Sequence, residues 1–115
     1  MASEELLIEQ VAAPTDTSRV IRLRGPVTLS NLFPLQTMLR APSTASTIIE
    51  LAEVPYLDSA GLGVLVNSYV SHQKNGRRLL LVGVTERVGN LLKITKVDQL
   101  FEVCSSLEEA RQRLS

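Results

Sequence analysis

Leu79-Leu80-Leu81-Val82-Gly83-Val84 is a near-continuous apolar run, and it constrains the fold more than any other stretch of the chain. Such a run suits a strand covered on both faces. A strand of that kind needs helices packed on its sheet, and the chain supplies them before and after it. From about Asp58 to Lys74, Leu62, Leu65, Val66, Tyr69 and Val70 recur at helical spacing, and Asn75-Gly76 ends that helix in the left-handed cap glycine allows. After the run, Thr85 caps a helix carrying Val88, Leu91, Leu92 and Thr95.

The rest of the chain repeats the alternation. Leu6 to Val11 reads as a first strand, and Ala12 to Thr17 turns the chain around Pro14 and Asp16. Arg19 to Arg24 alternates, with Ile21 and Leu23 on one face and Arg22 and Arg24 on the other. It is expected to be a half-exposed strand, paired with the first as a hairpin and stopped by Gly25-Pro26. Leu32, Leu35, Met38 and Leu39 share one helical face, the helix being capped by Asn31 or starting at Pro34. Ala41 to Ser46 reads as a loop and Thr47 to Leu51 as a central strand. Leu100 to Val103 reads as a short strand, and Ser106-x-x-Glu109 is a capping box opening a last helix with Leu107, Ala110 and Leu114 facing in. The expected architecture is α/β: a mixed, largely parallel sheet with an N-terminal hairpin and about four helices, order ββαβαβαβα.

With 115 residues, a single domain covering the whole chain is expected. Aromatics make up only 3%, so the core must be aliphatic. Twelve basic side chains balance twelve acidic ones, and no basic stripe with interleaved aromatics favours nucleic acid. Arg77-Arg78 is read as a solvated turn. Cys104, the single cysteine, is read as packing beside Val103, and one cysteine fits a reducing cytosol. Met1-Ala2-Ser3-Glu4-Glu5 lacks the positive start and apolar stretch of a leader, and no run approaches the roughly 18 apolar residues that span a bilayer. A soluble, cytoplasmic protein with no membrane insertion is expected.

Tyr56-Leu57-Asp58-Ser59-Ala60-Gly61-Leu62-Gly63 joins a strand to a helix and carries the chemistry. Asp58 or Ser59 can cap the free N–H groups of the helix. Two glycines in a first turn cost about 1 kcal/mol each against alanine, so they need a reason. Either they pack closely against a neighbouring strand or loop, or they leave room for a partner protein to reach Ser59.

Enzyme readings fare badly here. A nucleophile elbow, G-x-S-x-G, requires glycine where Leu57 stands. The single histidine, His72, is thirteen residues along the same helix, about 20 Å from Ser59 at 1.5 Å per residue, and is read as a surface residue. Gly61-Leu62-Gly63 lacks both the dinucleotide fingerprint and the Walker lysine, although a helix N-terminus can hold an anion without a motif. Weak nucleotide binding is therefore kept as an alternative. Glu50, Glu53 and Asp58 have no histidine or cysteine at ligand spacing, which argues against a metal site, and no cofactor is expected. What remains is a serine that can be modified, where phosphorylation would add nearly two charges at a helix N-terminus whose dipole offsets part of them.

The chain resembles the STAS domain family, in particular stand-alone bacterial anti-sigma factor antagonists. The resemblance is carried by Ile48-Ile49-Glu50-Leu51, Val54, Leu57-Asp58-Ser59-Ala60-Gly61-Leu62-Gly63 and Leu65, and continues through Leu79 to Val84, Val88 to Ile94, Val97 and Phe101. It implies that the unphosphorylated protein binds an anti-sigma factor that is also a serine kinase of the GHKL type. That kinase would phosphorylate Ser59 and break the complex, and a serine phosphatase would reverse it. It implies a binding surface made of Asp58, Ser59, Ala60, Gly61, Leu62 and Gly63 with the loop Gly25, Pro26, Val27 and Thr28. The protein would then be a substrate and no enzyme. The chain departs from the pattern where Pro26 and Thr28 replace two loop carboxylates, where Ala60 replaces a second serine, and at Glu50, where aspartate is common. The alternative within the family is a non-phosphorylated scaffold of a stressosome or a transporter-associated complex.

Overall fold

Five strands lie side by side in chain order in one sheet. The computed structural model describes residues 5–40 and 44–114, so most of the N-terminal segment and part of the expected loop from Ala41 lie outside the described residues. Strand β1 (Leu7–Val11) pairs antiparallel with β2 (Ser18–Arg24), and β3 (Ser46–Glu53), β4 (Arg78–Val82) and β5 (Glu102–Cys104) follow in parallel. Helices α1 (Phe33–Arg40), α2 (Ser59–Lys74) and α3 (Glu86–Ile94) make the three crossovers, and α4 (Leu107–Leu114) ends the chain. The expected element order is the observed one.

Right-handed crossovers between strands laid down in order put every crossover helix on the same face. One apolar cluster accordingly joins Ile21, Leu23, Ile49, Leu51, Leu79 and Leu81 of the sheet to Leu35, Leu39, Val64, Leu65, Val88 and Leu92 of α1, α2 and α3. The opposite face is covered by α4, where Ala110, Leu107 and Leu114 meet Ile48, Leu80, Val82 and Cys104. β4 is thus buried on both sides from Leu79 to Val82, as its composition requires. Fully burying each such side chain stabilises the fold by about 1.5–3 kcal/mol.

β2 is more buried than its alternation suggests. Ile21 and Leu23 do face the helices, but Ser18, Arg19 and Val20 are buried as well, and Arg24 alone is exposed. The reason is position: β2 lies inside the sheet between β1 and β3, and Val20 belongs to the second cluster. Its arginines find partners there, Arg22 on Glu50 and Arg24 on Glu9 and Glu53. Strand β5 begins two residues later than expected, because Phe101 leaves the strand line to pack its ring edge-on against Tyr69, 5.6 Å between centroids. Arg77-Arg78 is no solvated turn either: Arg78 opens β4 and pairs with Glu102, and Arg77 is half-buried. Cys104 is buried, as read.

Parallel strands bring their C-terminal ends to one edge of the sheet, where the β2–α1 and β3–α2 loops leave side by side. Those loops are bonded to each other. Gly25 N–H donates to Glu53 O at 3.0 Å, Val27 N–H to Tyr56 O at 3.2 Å, and Asp58 N–H to Val27 O at 3.2 Å, so Val27 and Leu57 form a parallel bridge.

Candidate functional site at the start of the second helix

Asp58 is the N-cap of α2, in extended conformation (φ −91°, ψ −177°), which settles the choice between Asp58 and Ser59. One carboxylate oxygen accepts from Gly61 N–H at 2.8 Å and the other from Leu29 N–H at 3.0 Å. A single side chain therefore caps the helix and pins the β2–α1 loop to it. Hydrogen bonds from the Gly61 and Leu29 backbones hold the Asp58 carboxyl below its ordinary range, so it is ionised at neutral pH.

Ser59 is the first residue of α2, and its side chain is exposed. Its hydroxyl has no hydrogen-bond partner among the described residues. Ala60 and Leu62 are half-buried and pack against the helical face of the core.

The two glycines divide between the two reasons considered for them. A Cβ on Gly61 would stand 2.2 Å from Val27 O, so glycine here is what lets the helix touch the bridged loop. A Cβ on Gly63 would meet nothing within 4 Å. Among the described residues no packing explains Gly63, and its surface is open.

Across from Ser59, the expected docking loop presents less side chain than its residues suggest. Val27 is fully buried and Thr28 is 7% exposed, while Gly25 and Pro26 are half-buried. Thr28 N–H donates to Asn31 Oδ1 at 3.0 Å, its hydroxyl pairs with that of Ser30 at 2.9 Å, and Asn31 Nδ2 donates to Pro26 O at 2.9 Å. Asn31 thus folds the loop, and α1 begins two residues later at Phe33. The loop's outward residues are Leu29 and Ser30 and, at the start of α1, Phe33, with Leu29 and Phe33 respectively 62% and 61% exposed. Sequence reasoning missed Leu29 and Phe33. The available signal was two large apolar residues, four positions apart, outside the stripe formed by Leu32, Leu35 and Leu39.

His72 is not the surface residue its sequence context suggested, being 4% exposed. It faces the sheet near the far end of α2, where Nδ1 lies 2.7 Å from Ser68 O and Nε2 lies 3.2 Å from the Thr47 hydroxyl. That hydroxyl also accepts from Arg19 Nε at 2.9 Å. One arrangement satisfies both ring nitrogens and the Thr47 hydroxyl: Arg19 donates to Thr47, Thr47 to His72 Nε2, and Nδ1–H to Ser68 O. It requires a neutral imidazole, and burial, opposed by the Ser68 bond and aided by the charges of Arg19 and Arg77, pushes the His72 pKa down accordingly. Because α2 is continuous, Ser59 and His72 stay at its opposite ends and form no catalytic pair.

Comparison with known proteins agrees with this geometry. The family model described as STAS domain matches residues 9–110. An anti-sigma-B factor antagonist of Staphylococcus aureus is 32% identical over 81 residues, which cover 70% of this chain and 75% of that protein. Among solved structures, an anti-sigma factor antagonist from Mycobacterium paratuberculosis superposes with a TM-score of 0.81 at 21% identity, covering 97% of this chain and 96% of that one. The Bacillus cell fate determinant SpoIIAA in its phosphorylated form gives 0.73 at 15% identity, covering 95% of this chain and 100% of that one. At those identities the two structures speak for the fold. Among the described residues no helix is long and apolar enough to cross a membrane.

Proposed function

This chain belongs to the STAS domain family, and on that premise we propose that it is an anti-sigma factor antagonist switched off by phosphorylation of Ser59. Unphosphorylated, it docks through the start of α2 and the neighbouring loop onto an anti-sigma factor that is itself a serine kinase of the GHKL type, in the cytoplasm. The kinase transfers the γ-phosphoryl group of ATP to Ser59 Oγ, ADP leaves, and the complex parts. A serine phosphatase restores the hydroxyl.

The observation that carries this reading is the exposed hydroxyl of Ser59, without a hydrogen-bond partner among the described residues, at the first position of a helix whose cap is supplied by its neighbour. Since Asp58 does the capping, modifying Ser59 removes no bond that the fold uses. The helix dipole favours an anion there by about 0.3–1 kcal/mol. The domain therefore tolerates the phosphate. The cost falls on the partner, which would have to bury a dianion beside the Asp58 carboxylate. With Thr28 buried and Leu29 and Phe33 outside, the partner surface facing the loop is apolar, where two loop carboxylates would have called for a basic one.

Affinity recovery with mass spectrometry tests this directly. Wild type and Ser59→Ala should recover a GHKL-type kinase and Ser59→Asp should not, and that kinase with ATP should add one phosphate, at Ser59. Recovery of transporter subunits without a kinase, or phosphate at another residue, would overturn it.

A further inference from the structure

The far end of α2 carries a second feature, which the switch does not use. A groove of about 190 Å³ runs between α1 and α2 over Leu39 and Val64, with Gln36, Asn67 and Ser68 among its walls. It shares Leu39, Arg40 and Ser71 with a smaller hollow of about 20 Å³ closed by His72, Asn75 and Arg77. Among the described residues no carboxylate lines either.

The charge balance singles this place out. Of the nine arginines in the chain, Arg22, Arg24, Arg78, Arg111 and Arg113 pair with carboxylates, and Arg87 lies over the Tyr56 ring at 5.0 Å. Arg19 is buried behind the hollow on Thr47 and the Met38 carbonyl, at 2.9 and 3.1 Å. Arg40 and Arg77 have no partner among the described residues, and both line the hollow. Nor is the Arg77 side chain needed to cap α2. The last carbonyls there, on Ser71, His72 and Gln73, already accept from the backbone N–H groups of Asn75, Gly76 and Arg77 and from Asn75 Nδ2. Two guanidinium groups, beside a hydroxyl and a carboxamide and with no carboxylate among the described lining residues, make a donor set for a compact oxyanion.

We propose that the mouth of this hollow, where it meets the groove, binds a phosphoryl anion held by Arg40 and Arg77, at the opposite end of α2 from Ser59; the hollow itself has room for little more than a water. The α1–α2 groove would take the remainder of a small phosphorylated metabolite, and the mouth alone would take free phosphate. The thirteen positions from Ser59 to His72 along α2 set the hollow about 20 Å from Ser59, so both sites can be filled at once.

His72, the single histidine, reports on the site without a label. The groups facing it are Thr47 from β3, Arg19 from β2, Arg40 at the end of α1, and Ser68 and Arg77 on its own side. NMR of the His72 ring should be followed across pH in sodium phosphate, in glycerol 3-phosphate, and in sodium chloride at equal ionic strength. The phosphoryl anions should move the ring resonances saturably and raise the titration midpoint, which chloride should not. Arg40→Gln and Arg77→Gln should each weaken the apparent affinity about tenfold, the worth of one charge-assisted bond. Equal saturation by both anions with no change at Asn67 and Ser68 assigns the site to free phosphate. Tighter glycerol phosphate binding that moves those amides assigns it to a metabolite. A response no larger than that to chloride, or one left intact by both substitutions, overturns the proposal.

Discussion

The two ends of α2 use polar residues in opposite ways. At the first turn, Asp58 takes up Gly61 N–H and Leu29 N–H, and the adjacent Ser59 hydroxyl is left outside with no partner among the described residues. At the last turns, His72 is pressed onto the sheet and its ring atoms are matched to Thr47 and Ser68. One end keeps a reactive group available and the other buries its polar groups against each other. A hydroxyl and an imidazole on one helix thus differ in availability because of what the sheet presents at each end, not because of their chemistry. The contrast can be attacked from either side.

The largest effect is expected at the first end. In Gly61→Ala the new methyl meets Val27 O, a carbonyl held by Asp58 N–H within the Val27–Leu57 bridge, so it cannot retreat without opening the two loops. Overpacking against fixed backbone should cost about 3 kcal/mol, read as a lower urea midpoint with an unchanged slope. An unchanged midpoint would mean the two loops are not held against the helix.

At the other end, Thr47→Val keeps the shape and removes the hydroxyl that serves both Arg19 and His72. Leaving a buried donor and a buried acceptor without their shared partner should cost about 2 kcal/mol by the same measurement. If Thr47→Val is neutral, the chain of bonds from Arg19 to His72 does not stabilise the fold.

How much of this was legible divides along the same line. The element order, the largely parallel sheet and the Thr85 cap of α3 follow from local spacing and residue type, and these agree with the structure. Residue types leave the α2 cap open between Asp58 and Ser59, and α1 starts at Phe33, neither capped by Asn31 nor beginning at Pro34. His72 looked like a surface residue, because what buries it lies 25 positions away at Thr47, and the bond that holds the buried Arg19 reaches the same hydroxyl 28 positions away. No pattern along β2 or α2 reports that distance. The docking loop failed in a related way. Gly25-Pro26-Val27-Thr28 matches by position, but Asn31 folds the loop so that Thr28 turns in and Leu29 turns out. Residue types placed the site; only the bonds across it decide which side chains a partner meets.

Acid should separate the two ends by about 1 kcal/mol per pH unit at most. Burial lowers the pKa of His72 from 6.5, so below that value the unfolded chain binds a proton that the folded one does not. Its contribution is complete above pH 6.5 and is lost as the pH falls from there toward the lowered folded value. Asp58, Glu108 and Glu109 are lowered from 3.8, 4.5 and 4.5, so their contributions are lost only at lower pH. Denaturation between pH 7 and 5 should therefore show stability falling in wild type and nearly level in His72→Gln. A slope that persists in His72→Gln would assign it to another group.

Gly63→Ala should have the smallest effect on the fold and is the sharpest test of the first end. A methyl there enters open space, and alanine is favoured over glycine inside a helix by about 0.5–1 kcal/mol, so the urea midpoint should rise slightly. Glycine at this position lowers helix stability with no gain in packing within the chain. If the open surface beside Ser59 is where a partner's backbone lies, the more stable variant should recover less kinase than wild type does. Ser59 should stay just as exposed. Full recovery by a stabilised Gly63→Ala would leave Gly61 as the only one of the two glycines with a structural reason, and would move the contact from the helix toward Leu29 and Phe33.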